Sequence, residues 1–377
     1  MNNKCKVLND QTILLGNHIA ADGEAKWDVV KKSGQSYIAI SHIHNDHFKE
    51  SKVNNAMESP QYIEPIMSEG TRDLLMQSKV LNLRYNSHKV LKFGIEESLV
   101  TKNDETVKVT LKDSKHILGS SQIQVEETDG SRYGYSGDFG EGIEDFIDVD
   151  TLVLDSTNGT RNDLVNWTVN SAIQELAERV SEAVNEHRKV AIIGAPGLLQ
   201  STIHNFSSFL DGVDVGTYEW DELHRVSRVQ AFSQVYSDHG FEQPLINSYQ
   251  YAENEGLEDI ISKFRFSPKQ LILAHNIKDI GLGGVVTPTS FEGVIFNVKN
   301  FYRHNEKPIV QRKDNKIYDV SLTSHALGET ILEYVESVNP KLVITDSSRN
   351  EKCAVSLAKK IKDRLNIEAI PSSDLLS

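Results

Sequence analysis

The first part of the chain, up to about residue 160, is predicted to be rich in β-strands. Short runs of apolar and β-branched residues recur there between turn-forming residues, a pattern typical of strands. These runs are Thr12–Leu15, Tyr37–Ser41, Thr106–Lys112, Gln122–Glu126 and Thr151–Leu154.

From about residue 165 the apolar period changes to that of a helix. Apolar residues between Val169 and Val184 are spaced 4, 3, 4 and 4, which places them on one face of a helix ending near His187. A strand (190–193), a Gly-Ala-Pro-Gly turn and a helix (198–210) follow. Near the end we expect a helix at 329–338, a strand at 341–345 and a helix at 352–365. No repeat or flexible linker separates these segments, so a middle domain is expected to be an insertion.

Composition restricts the class of protein. The 377 residues suggest two or three domains, and 38% hydrophobic residues suit a globular chain. No apolar run is long enough to span a membrane and no signal peptide opens the chain, so we expect a cytoplasmic protein without a membrane partner. Cys5 and Cys353 are expected to be free thiols. The 40 basic against 54 acidic residues give a net charge of −14, so any polyanion must be bound locally.

The segment Ser41–His47 (SHIHNDH) is the strongest chemical signal. Its imidazoles and carboxylate directly follow an apolar strand, and they are ligand types that zinc and similar metals accept at catalytic sites. His42 and His44 can point from one side of an extended chain, whereas Asp46 and His47 lie beyond a bend, which suits two metal ions. The alternative is a solvated histidine-rich loop.

This segment resembles the HxHxDH motif of the metallo-β-lactamase fold. Lys115–Ser120 (KHILGS) is similar to the motif of the third ligand, and Tyr135–Phe139 (YSGDF) to the motif of the bridging carboxylate. By itself, His116 would more often be a core or surface histidine.

Two further motifs resemble the β-CASP branch of this superfamily, which contains nucleases acting on DNA and RNA. Leu152–Gly159 (LVLDSTNG) is similar to its motif A, and Leu322–Ala326 (LTSHA) to its motif B. The resemblance implies an α/β fold: an αββα metallo-β-lactamase sandwich (1–158 and 315–377) with an inserted α/β β-CASP cap (159–314). Within this branch, the chain most resembles ligase-associated DNA exonucleases and RNA-processing exonuclease-like proteins.

The resemblance also implies the site and its cofactors, two divalent ions, Zn²⁺ or Mn²⁺. The first metal set would be His42, His44, His116 and Asp138, and the second Asp46, His47, Asp138 and Asp346. His325 would protonate the leaving oxygen, and Asp155 would orient it. A core histidine is the alternative for His325.

Two positions depart from the family pattern. Asp346 stands where motif C usually has a metal-binding His; alternatively, it only caps the following helix. Leu198 stands where the cap usually has Arg, so a phosphate contact is missing or comes from another arginine, with these candidates: Arg225, Arg228, Arg303 and Arg312.

The expected function is metal-dependent hydrolysis of nucleic acid phosphodiesters, with DNA slightly favoured over RNA and exonuclease action favoured. A non-catalytic β-CASP scaffold subunit and a small-molecule hydrolase of the same fold are the alternatives. The sequence leaves the polarity of cleavage and the oligomeric state open.

Overall fold

The computed structural model describes residues 4–23, 34–47, 63–78, 87–159, 167–186, 189–217, 227–248, 270–275, 293–299, 307–312 and 316–375. In chain order the strands are β1 (Cys5–Val7), β2 (Ile13–Leu15), β3 (Ile19–Ala21), β4 (Tyr37–Ala39), β5 (Glu64–Ser68), β6 (Lys89–Leu91), β7 (Glu96–Val100), β8 (Thr106–Asp113), β9 (Ser121–Glu126), β10 (Arg132–Tyr135), β11 (Thr151–Leu154), β12 (Lys189–Ile193), β13 (Asp214–Thr217), β14 (Asn247–Ser248), β15 (Gln270–Ala274), β16 (Gly293–Lys299), β17 (Ile309–Gln311), β18 (Ile317–Ser321), β19 (Leu342–Thr345) and β20 (Glu368–Pro371). The α-helices are α1 (Glu69–Ser78), α2 (Val169–Asn185), α3 (Leu198–Asn205), α4 (Arg228–Asp238), α5 (Gly328–Val338) and α6 (Glu351–Leu365), and Ser207–Leu210 and Ser372–Leu375 are 3₁₀ turns.

The chain folds into two units. Unit 1 consists of Met1–Asp163 and Ser324–Ser377, and unit 2 is Leu164–Thr323. The segment 315–323, which we expected in the returning part of the first domain, lies in unit 2. The reason is that β18 pairs in parallel with β16, a strand of the unit 2 sheet.

Unit 1 contains two sheets that pack against each other. One has the order β1-β2-β3-β4-β5-β6, and the other has the order β20-β19-β11-β10-β9-β8-β7. Apolar side chains of both sheets, such as Leu15 and Ile66 from the first and Val109 and Val125 from the second, form one buried cluster. Burial of each such side chain stabilises the fold by up to about 1.5–3 kcal/mol.

Successive side chains of β11 point to opposite faces of the second sheet, and this explains why helices pack on its outer face. Val153 faces the cluster between the sheets, whereas Leu152 and Leu154 join a second cluster with residues of α5 and α6, such as Leu332 and Leu357. A strand covered on both faces has apolar side chains on both of them, which explains the unbroken apolar run at residues 152–154. Helix α1 contacts β5 and β6.

Unit 2 contains a sheet with the order β14-β13-β15-β12-β16-β18-β17, parallel except for β17. Helix α2 begins at Thr168, whose side chain accepts a hydrogen bond from Ser171 N, and its buried residues include Leu176 and Val180 on the predicted face. The helix predicted at 198–210 is interrupted. Phe206 is fully buried with φ −131°, so α3 ends before it and a 3₁₀ turn follows.

These elements confirm the predicted α/β class, with mixed parallel and antiparallel sheets. Neither Cys5 nor Cys353 is in a disulfide bond, and both are buried. Within the described ranges, no helix is long and apolar enough to cross a membrane. Arg312 forms a two-pronged ion pair with Asp319, and Arg225 and Arg303 lie outside the described residues.

Candidate metal centre

The histidine-rich loop starts at the carboxyl end of β4, and Asp22 holds it in place. Asp22 follows β3, the parallel neighbour of β4, and has the left-handed φ of 51°. Its carboxylate accepts hydrogen bonds from Ser41 N (2.8 Å) and Ser41 Oγ (2.6 Å), and its Oδ2 lies 2.7 Å from His47 Nδ1. Asp22 thus fixes both the backbone at the start of the loop and the ring of His47.

Four other candidate residues also follow strand ends in unit 1. His116 lies between β8 and β9, whereas Asp138, Asp155 and Asp346 follow β10, β11 and β19. Those three strands are parallel neighbours, so their carboxyl ends meet at one edge of the sheet. The structure therefore brings residues that are far apart in the sequence to one place.

The first group of possible ligands is His42, His44, His116 and Asp138, whose donor atoms lie within 4.8 Å of one another. His44 Nδ1 lies 3.0 Å from His42 Nε2 and 3.1 Å from His116 Nε2. Asp138 Oδ2 lies 3.7 Å from His42 Nε2 and 3.8 Å from His116 Nε2. Tetrahedral zinc with bonds of about 2.0–2.1 Å separates its ligands by about 3.3 Å, so this donor set suits the ion in spacing and in chemistry.

The imidazoles of this group are neutral near pH 7. Burial, and then the neighbouring imidazoles of His47 and His44, hold the pKa of His42 well below its usual range. Burial lowers the pKa of His44 to about 4, and burial and then His325 hold the pKa of His116 well below its usual range. A metal ligand has to be a deprotonated imidazole, so the group is ready to bind an ion.

The second group consists of Asp46, His47 and Asp138. His47 Nε2 lies 2.9 Å from Asp138 Oδ2 and 3.8 Å from Asp46 Oδ2. Burial and Arg349 lower the pKa of His47, but Asp138 and Asp22 outweigh them and raise it to about 9. In the protein without metal, His47 is therefore an imidazolium that donates to Asp138.

Arg349, in the loop between β19 and α6, is a residue of the centre that the sequence analysis missed. Its Nη1 lies 2.8 Å from Asp138 Oδ1 and 3.7 Å from Asp46 Oδ2. Burial alone would raise the pKa of Asp138, but His47 and Arg349 hold it well below its usual range. No periodicity or motif in this segment signals an arginine at the site. Asp22 was also missed, although a polar residue directly after the apolar run 19–21 is a usable signal.

The third group of possible ligands consists of His325, Asp155 and, again, Asp138. His325 Nδ1 lies 3.0 Å from Asp155 Oδ2, and His325 Nε2 lies 3.6 Å from Asp138 Oδ2. Burial opposes protonation of this ring, yet Asp138 and the hydrogen bond to Asp155 raise the pKa of His325 above its usual value.

Asp346 lies outside these three groups of described residues. Its Oδ1 accepts a hydrogen bond from Ser348 N at 2.8 Å, and burial raises its pKa. The N-cap of α6 is Asn350, whose side chain accepts from Cys353 N, so Asp346 does not cap that helix. Its coordination of a second metal stays a prediction.

The centre as a whole gathers six of the seven predicted ligands around Asp138: His42, His44, Asp46, His47, His116 and Asp138. These buried histidine and aspartate clusters can hold metal ions. A comparison with known protein families finds no matching family model, and a comparison with curated proteins finds no matching sequence.

Proposed function

We propose that the chain is a metal-dependent nuclease of the metallo-β-lactamase and β-CASP type, which hydrolyses phosphodiester bonds of DNA or RNA. The observation that carries this proposal is that one carboxylate, Asp138, belongs both to the group of His42, His44 and His116 and to the group of His325 and Asp155. Hydrolysis of a phosphodiester needs a metal ion that activates water and a group that protonates the leaving oxygen. Here the possible metal ligands and the possible proton donor lie at the same carboxylate.

The layers of unit 1 support the proposed fold. The supporting features are two packed sheets with α5 and α6 on the outer face of one of them, and a second unit inserted between Asp163 and Ser324. The motifs at residues 41–47, 115–120 and 135–139 lie at the carboxyl ends of the strands, or in a loop beside them, as the resemblance requires.

Zn²⁺ is the ion that the first group suits best, since three of its four donors are imidazoles, and Mn²⁺ is the alternative. When bound, the ion would bind a phosphate oxygen and lower the pKa of a water molecule to generate the nucleophile.

The protein side chains provide the other steps. Asp155 accepts the Nδ1–H of His325, which leaves Nε2–H of the ring to be donated. Because Asp138 and Asp155 raise the pKa of His325, the ring holds this proton more strongly than an ordinary histidine and can transfer it to the leaving oxygen. The Ser324 carbonyl oxygen accepts a hydrogen bond from His116 Nδ1, and the Asp22 carboxylate accepts one from His47 Nδ1. These bonds orient both rings.

The overall charge of −14 is compatible with a nucleic acid substrate only if attraction is local. The buried centre contains Arg349 and the imidazolium of His47 even before a metal binds. A bound dication adds to this local positive charge.

The test is degradation of end-labelled single- and double-stranded DNA and RNA, with 5′-phosphate and 5′-hydroxyl ends compared, by protein reconstituted with Zn²⁺ or Mn²⁺. We expect Asp138→Ala to lower turnover at least about 10³-fold, because it removes a ligand and a charge partner of His325. Asp150→Ala is the matched control, since Asp150 pairs with Arg132 and Lys341 outside the three groups.

Two outcomes would overturn the proposal. Metal-loaded protein that cleaves none of the four polymers would indicate a scaffold subunit or, if it hydrolyses thioesters or lactones, a small-molecule hydrolase. Protein that binds no metal after reconstitution would contradict the metal centre itself.

A further inference from the structure

The two carboxylate oxygens of Asp138 face different partners. Oδ2 faces the histidines: its distances to their Nε2 atoms are 2.9 Å for His47, 3.6 Å for His325, 3.7 Å for His42 and 3.8 Å for His116. Oδ1 accepts a hydrogen bond from Arg349 Nη1 at 2.8 Å. A carboxylate can bridge two metals through both oxygens or through one, and here Oδ1 already binds a guanidinium, which leaves only Oδ2 for metal ions.

Arg349 contacts every member of the second group of possible ligands. Besides Asp138, it approaches the carboxylate of Asp46 (Nη1 to Oδ2, 3.7 Å) and donates to the carbonyl oxygen of Asp46 (Nη2, 3.3 Å). Its Nη2 also lies 3.2 Å from His47 Nδ1. The guanidinium thus places a positive charge beside both carboxylates of this group. It meets His47 at Nδ1, whereas Nε2, the nitrogen that faces Asp138, is the possible metal ligand.

The guanidinium is held firmly in this position. Its side chain is only 17% exposed, and its loop is tied down by the hydrogen bond of Ser348 N to Asp346 and by Asn350 at the start of α6. An arginine side chain stays charged at all relevant pH values, so it cannot become neutral to admit a neighbouring cation.

Charge balance also opposes a second ion. A second dication at Asp46 and Asp138 would lie beside the guanidinium that already pairs with both carboxylates. The side chain of Asp46 is 58% exposed, but those of His47 and Asp138 are buried, so the repulsion between the two cations is screened only in part and the second dication is disfavoured.

We propose that Arg349 takes the place of a second metal ion, so that the chain holds a single catalytic metal, bound by His42, His44, His116 and Asp138. This differs from the two ions that the sequence predicts. That the guanidinium serves a nuclease as its second positive charge rests on the proposed function. The number of metal ions bound per chain can be tested whether or not the protein is a nuclease.

The experiment measures bound metal directly. Purified protein is stripped, reconstituted with excess Zn²⁺ or Mn²⁺, desalted and analysed for metal per chain by mass spectrometry, with a calorimetric titration for the number of sites. We expect about one ion per wild-type chain and about two per Arg349→Met chain, because this substitution keeps most of the side-chain volume and frees Asp46, His47 and Asp138.

Arg132→Met is the matched control, since Arg132 is a partly buried arginine that binds Asp148 and Asp150 in the same unit, outside the ligand groups. It should bind about one ion, as the wild type does. Circular dichroism and thermal unfolding establish that each variant is folded.

Two tight sites in the wild type would overturn the inference while leaving the proposed nuclease function intact, and this result does not depend on whether any variant folds. A folded Arg349→Met variant with one ion would also overturn it, since the arginine would then not be excluding a metal. No metal in the wild type would overturn both proposals, and failure of the nuclease assay with one ion bound would overturn only the function.

Discussion

At the scale of single residues, the centre depends on which nitrogen of each histidine faces Asp138. In four rings, Nδ1 lies beside a polar partner. The partner is Ser41 Oγ for His42, Asp22 for His47, the Ser324 carbonyl for His116 and Asp155 for His325. A carbonyl or carboxylate partner requires Nδ1 to carry a hydrogen, as in His47, His116 and His325. For the neutral ring of His116 this contact sets the tautomer. The result is that four Nε2 atoms point at one carboxylate oxygen.

The pair of His325 and Asp155 is expected to act as one unit. His325→Ala and Asp155→Ala should each lower turnover about 10²–10⁴-fold, because either change removes the oriented proton donor. The double variant should cost little more than the worse single variant, since residues that act together are not additive. Metal content should stay at the wild-type value.

The measurements are the rate of phosphodiester hydrolysis and the metal per chain for all four proteins. If the two single losses multiplied in the double variant, the two residues would act independently. If either single variant lost its metal, the pair would belong to the ligand set.

At the scale of elements, the position of the His116 loop depends on a close backbone contact with α1. Gly119 has φ +78°, and a Cβ atom there would lie 2.1 Å from Thr71 N. Its carbonyl oxygen accepts hydrogen bonds from the hydroxyls of Ser68 and Thr71. The β8–β9 loop is therefore joined to the start of α1 at a point where only glycine fits.

Gly119→Ala should lower the free energy of unfolding by more than about 2 kcal/mol, because it adds a steric clash to a disfavoured φ. It should also weaken metal binding, since His116 is three residues away. Gly130→Ala is the control: Gly130 has the same φ of +78° but no atom within 4 Å of the added Cβ, so the loss should be only about 1–2 kcal/mol. Urea unfolding measures both values, and equal losses would mean that the contact with α1 contributes nothing.

At the scale of the whole molecule, the two ends of the chain are joined in unit 1. Cys5 lies on β1 and Cys353 on α6, and both thiols are buried. Burial raises the pKa of Cys5 to about 12. Because only the thiolate reacts, a raised pKa leaves about 10³-fold less of the reactive form at pH 8 than an ordinary thiol has.

Because both thiols are buried, and the pKa of Cys5 is also raised, we expect neither cysteine of the native protein to react with a disulfide reagent at pH 8 over minutes. Both should react, giving about two thiols per chain, once urea unfolds unit 1. Single Cys→Ser variants assign the signals. Rapid reaction of Cys5 in the folded protein would contradict the burial of β1 in the core.

The amino-acid sequence by itself determined the local elements and most of the ligand set. The apolar runs became β8, β9 and β11, and the 3.6-residue spacing became α2, because local periodicity decides which face can be buried. The three imidazoles and the one carboxylate of the His42–His47 segment are close together in the sequence, so their proximity needed no knowledge of the fold.

Tertiary structure alone decided the features that depend on distant residues. Phe206 ends α3 because its side chain is buried in the core of unit 2, and residues 317–321 join that unit because they pair with β16. Asp22 reaches His47, and Arg349 reaches both Asp138 and His47, from separate loops that follow strands of two different sheets. Sequence spacing cannot encode such contacts, and this is why the charge beside the second group of ligands was visible only in the folded protein.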